Sequence, residues 1–144
     1  RAKALGFKAM LTPEDMQVPH QHTAVVARKE YLTENSEIAT NFIKAISEAI
    51  YLMKQDRQGT VDLMTDVLLL DPVEDREVII EAYDVVIMQT MDKQLPVNRN
   101  GVQLLIDNGL QENPNALDLT VDDIVDERII QELTESGFFD QLGK

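Results

Sequence analysis

From residue 36 to residue 91 apolar side chains return every three or four positions, a period that buries helix faces rather than sheet faces. Over 36–55, Ile38, Phe42, Ala45 or Ile46, Ala49 and Met53 line one side of a helix, joined by Ala39, Ile43 and Ile50. Glu37, Lys44, Glu48 and Lys54 point elsewhere, and Asn35 precedes the helix as a suitable N-cap. A second helix over 57–69 buries Val61, Met64, Val67 and Leu68. Asp71, Pro72 and Glu74 form a cap-box-like start to a third, which runs to about Met91 with Val78, Ile79, Ala82, Val85, Val86 and Gln89 on related faces. Pro96 marks a loop, a fourth helix is expected over about 100–108 and ends at Gly109, and 111–120 reads as a loop or crossing segment. A last helix over about 126–136 is closed by Gly137.

The first 28 residues read differently. Residues 1–5 look like the final turn of a helix closed by Gly6, and 29–34 like a short helical turn. The runs 7–11 and 23–27 are apolar or β-branched and read as buried strands. Two short strands cannot make an independently stable sheet. Their apolar character on both faces implies larger sheets whose other strands lie outside the sequence, and so a piece of a longer polypeptide. A compact, mostly helical domain with a small hairpin is the alternative.

Composition removes several function classes. Thirteen basic against 26 acidic residues give a formal charge of -13, which repels phosphate backbones and anionic membrane faces, so nucleic acid is a poor partner. A hydrophobic content of 44% over 144 residues suffices for one buried core. No window approaches the roughly 18 consecutive apolar residues of a membrane helix. The absence of cysteine removes thiolate metal sites, thiol nucleophiles and disulfides.

The chemistry-bearing residues are few. Ser36, Ser47 and Ser136 lie in or at helices, away from any Gly-x-Ser-x-Gly elbow, and no glycine-rich phosphate loop is present. The acidic clusters 74–77 and 122–127 lack the glycine and alternating oxygens of a calcium loop and read as first-turn acids matched to helix dipoles. His20 and His22 stand two apart beside Pro19, which in extended chain puts both on one side. Glu14 and Asp15 are only generic further ligands, so a metal site is not assigned. Phe138 and Phe139, directly after Gly137, are expected to anchor the end of the chain against the body.

Several stretches carry a resemblance: Ala4-Leu5-Gly6-Phe7, Thr23-Ala24-Val25-Val26-Ala27-Arg28, Tyr31-Leu32-Thr33-Glu34-Asn35, and Phe42 through Ile50. Together with Val125-Asp126-Glu127 and Glu135 through Phe139, they resemble the later half of nitrate, sulfonate and taurine-type solute-binding proteins, a family that includes thiamine-pyrimidine binders. The resemblance implies an α/β, helix-rich fold, the C-terminal part of a type II periplasmic-binding-protein-like two-lobed architecture. It implies that residues 1–18 end the second lobe, 19–23 cross between lobes, and 24–144 return as the mostly helical part of the first. His20, Gln21, His22 and Thr23 on that crossing are the candidate ligand contacts or hinge residues.

The function implied is the non-catalytic substrate-binding component of an ABC importer, acting in the periplasm or outside the cell against the membrane. Its partners would be a small solute and the transporter's membrane subunits. No cofactor, metal or catalytic residue is assigned. A sensor, or a thiamine-pyrimidine synthase-like protein on the same fold, is the second expectation, though the synthase's cysteine-rich motif does not occur here. A purely helical interaction domain whose acidic faces bind a basic partner is the third, favoured by a helical core without unpaired strands.

Overall fold

A computed structural model describes residues 5–8, 10, 19–21, 23–112 and 119–143. The elements are α1 (Lys29–Glu34), α2 (Ser36–Gln55), α3 (Arg57–Val67), α4 (Arg76–Ala82), a π-helical segment (Tyr83–Thr90), α5 (Arg99–Glu112), α6 (Val121–Ile124), α7 (Arg128–Glu135) and α8 (Phe138–Gln141). Two compact units divide the chain. The larger comprises Arg28–Leu95 and Arg128–Lys144, the smaller Arg1–Ala27 and Pro96–Glu127.

The α/β expectation is corrected: among the described residues there is no strand or sheet. A strand persists when its N–H and C=O groups pair with a neighbour, and residues 24–27 form no ladder with another described segment. They lie outside any helix or strand, with Val25 exposed and Val26 88% exposed. Of the other expected strand, Phe7 and Met10 are exposed and outside any strand, while residues 9 and 11 lie outside the described set. So do residues 1–4 of the expected first helix, although Gly6 takes the positive φ of 85° that a closing glycine requires.

In the larger unit the core is Val61, Ile79, Tyr83 and Ile87, with Met53, Met64, Leu70 and Met91 packed on it. The inward positions 79, 83 and 87 repeat every four residues, longer than the α period. From Tyr83 the backbone widens into a π-helix. The Met91 N–H reaches the Val86 carbonyl at 2.9 Å, and Thr90 Oγ1 reaches the Val85 carbonyl at 2.8 Å, both five residues back. Val78, Val85 and Val86, expected inside, are exposed. The Tyr83 hydroxyl donates to the Met53 carbonyl at 3.0 Å, satisfying the one polar atom of a buried ring.

The inward face of α2 is also turned relative to expectation. Ser47 and Ile50 are buried and Ile43, Ile46 and Met53 half-buried, whereas Ile38 and Phe42 face solvent. Asn35 does stand at the N-cap, but its side chain donates back to the Tyr31 carbonyl at 3.1 Å. The cap of α3 is Asp56, whose Oδ1 accepts from the Gly59 N–H at 2.9 Å. Phe139 is buried, and Lys93 holds the short C-terminal helix by donating to the Phe139 carbonyl at 2.7 Å. Lys44 and Phe138 approach as a cation over a ring at 5.8 Å.

α3 ends in a Schellman motif. The Leu70 N–H bonds the Thr65 carbonyl at 3.0 Å, the Leu69 N–H bonds the Asp66 carbonyl at 3.2 Å, and Leu69 takes the left-handed φ of 52°. The acids after it build the corner rather than a helical first turn, so α4 begins at Arg76 and not at Pro72. Asp71 Oδ1 accepts from the Val73 and Glu74 N–H groups at 2.8 Å each, and Asp75 Oδ2 accepts from the Asp71 N–H at 3.2 Å. The Glu74 and Val73 N–H bonds hold the Asp71 carboxyl below its usual pKa, against small upward pushes from desolvation and Asp75.

Candidate functional site

The segment carrying the candidate residues lies in the smaller unit, across the first turn of α5. Asn98, just before that helix, has all its polar groups engaged, two on the helix and two on the upstream segment. Its Oδ1 accepts from the Gly101 N–H at 3.0 Å and its carbonyl from the Val102 N–H at 3.0 Å. Its own N–H donates to Gln21 Oε1 at 2.8 Å, and its Nδ2 reaches the His20 carbonyl at 3.4 Å. One residue thus caps the helix and fastens a segment 77 positions upstream.

Gln21 completes the fastening, because its Nε2 donates to the Thr23 carbonyl at 2.8 Å. Both ends of its amide are used, one along its own segment and one on the helix. Gly101 makes the approach possible. A Cβ there would lie 2.5 Å from the Gln21 nitrogen and 2.7 Å from the His20 carbonyl carbon, distances that backbone atoms cannot accommodate without moving. His20 and Thr23, on either side of the half-buried Gln21, are exposed. His22 lies outside the described residues.

Arg99 ties the same helix start to the segment around α6. Its guanidinium bonds Asp122 and, at 2.9 Å, Glu127. Those two carboxylates, Asp122 first, raise the Arg99 pKa further above its ordinary value. Asp123 accepts from the Thr120 N–H at 2.9 Å in a capping box at the start of α6. The acidic run 122–127 is thereby resolved into a cap and an ion-pair clamp. Among the described residues no group of three His, Asp or Glu side chains is arranged to hold a metal ion.

Sequence reasoning missed Asn98, Arg99 and Gly101. It began the fourth helix near 100 and ended it at Gly109, whereas α5 runs from Arg99 to Glu112 straight through that glycine. The available signal was an Asn followed three positions on by the residue whose N–H it caps. Comparison of the chain with protein-family models, curated proteins and solved structures gives no match.

Proposed function

We propose that this chain is part of a non-catalytic solute-binding protein. It would serve as the capture component of an ABC importer for a small solute of the nitrate, sulfonate, taurine or thiamine-precursor class, working outside the cytoplasmic membrane. The sequence stretches that resemble that family support this reading, and it draws nothing from a sheet architecture. The observation that carries it is the form of the segment around Gln21: an amide fastened at both ends, flanked by the exposed residues His20 and Thr23. Such an arrangement places two polar residues at the surface beside a fastened segment that does not have to be ordered on binding.

In this reading His20 and Thr23 are ligand contacts and Gln21 is a hinge fastener. A self-contained helical interaction domain is the second reading, favoured by the absence of any strand among the described residues. The test is calorimetric titration of nitrate, taurine, an alkanesulfonate and the thiamine pyrimidine into the full-length protein. His20→Ala and Thr23→Ala are each expected to weaken the solute that binds by about tenfold, the scale of one lost hydrogen bond to a charged or polar group. Unchanged affinity in both, or no heat with any of the four solutes, overturns the reading.

A further inference from the structure

We propose that the corner between α3 and α4 is a docking surface for a basic amphipathic helix of a partner protein. The inference is independent of the solute reading and concerns the larger unit alone. It starts at Leu69. The Schellman position that Leu69 fills is one where glycine is at ease and a leucine is strained. Strain of that kind persists where something else needs the side chain. Nothing within the unit uses it: the Leu69 side chain is 91% exposed, and Val73, four residues on, is 82% exposed.

Beside these residues lies a cleft of about 220 Å³. Its apolar lining comes from Val61, Leu70, Pro72 and Ile79, its polar lining includes Asp62, Asp66 and Arg76. An apolar floor rimmed by charge, next to projecting apolar side chains, is the form of a groove that accepts the anchors of a helix.

The charge decides the occupant. Between residues 58 and 75 the chain has five acids, Asp62, Asp66, Asp71, Glu74 and Asp75, and no base. Asp71 is held in its charged form by backbone N–H groups. A second copy of this chain would bring another -13 to the same face, and an anionic bilayer would be repelled likewise. A helix with apolar residues on one side and Lys or Arg on its flanks meets both demands: anchors for the cleft and cations for Asp62 and Asp66. Arg76 leaves acids in excess on the rim.

The probe is a labelled synthetic helix of leucine and lysine with leucines at i, i+3, i+4 and i+7, titrated with the full-length protein by fluorescence anisotropy. Saturable one-to-one binding is expected, weakened about tenfold or more by Leu69→Asn, which keeps the left-handed backbone, and by the double change Asp62→Asn and Asp66→Asn. A leucine and glutamate peptide of the same spacing is expected not to bind. The proposal is overturned if Leu69→Asn binds like the parent, or if Glu30→Gln with Glu34→Gln on α1 weakens binding as much as the cleft variant. It is equally overturned if sedimentation shows self-association that Leu69→Asn abolishes, which assigns the face to a second copy. Vesicle binding abolished by the same substitution would assign it to a bilayer, with the same consequence.

Discussion

Gly101 occupies a helix interior, where alanine is ordinarily the better residue by about 1 kcal/mol. Here the sign should reverse, because a Cβ would meet the backbone of residues 20 and 21 at 2.5 and 2.7 Å. Gly101→Ala is expected to cost roughly 1–3 kcal/mol, the scale of an overpacked contact, in urea unfolding. A variant as stable as the parent would contradict the close approach. Leu69 presents the opposite case: Leu69→Gly removes left-handed strain and adds freedom to the unfolded chain, for an expected net gain of about 0.5–1 kcal/mol by the same measurement. At this scale the sequence showed which residues are polar and where they cluster, including the segment His20 to Thr23. It could not show why position 101 is glycine, since the reason is a segment about 80 residues away.

Helix existence was legible for α1 to α5 and for α7, whereas the short helices α6 and α8 were not expected and helix register was not legible. The 3.6-residue period correctly marks α2 as amphipathic, but neighbouring apolar positions such as Phe42 and Ile43 compete for the interior, and packing selects Ile43. In the stretch that begins at Arg76 the period itself changes, because the backbone widens into a π-helix from Tyr83 onward while Ile79, Tyr83 and Ile87 are buried. A reading that assumes the α period necessarily places Val85 and Val86 inside. The expected anchor at the end of the chain is a clearer case: Gly137 reaches φ 72° and Phe139 is 2% exposed, while Phe138 is only half-buried. Phe139→Ala is expected to destabilise by about 3–5 kcal/mol and Phe138→Ala by distinctly less, read from thermal or urea denaturation. Equal costs would mean that the two rings share the load.

Over the whole molecule a net charge of -13 means that mild acidification relieves repulsion, while some carboxylates are needed in their charged form. Asp71 is the resolved example, with a pKa held down by the Glu74 and Val73 N–H groups. Its unfolded form therefore takes up a proton at higher pH than its folded form. The stabilisation is present above the unfolded value of about 3.9 and is lost as pH falls through the lower folded value. The stability gap between the parent and Asp71→Asn should accordingly be widest above about pH 4 and narrow below it, as followed by denaturation at a series of pH values. A gap that widens on acidification would contradict the capping role.

The helical character was legible because period and caps are local. The sheet expected from residues 7–11 and 23–27 was not realised among the described residues, because strand propensity becomes a sheet only where a partner strand supplies the other half of the ladder. What links the two halves of the smaller unit is instead the fastening of Gln21 to Asn98. The proposal that a solute binds beside it is tested most directly by amide hydrogen exchange on the full-length protein, with and without the solute that binds calorimetrically. The account predicts that solute slows exchange at residues 20–23 and 98–101 together, the Asn98 amide bonded to Gln21 among them. Protection confined to other regions, with these amides unchanged, would contradict it.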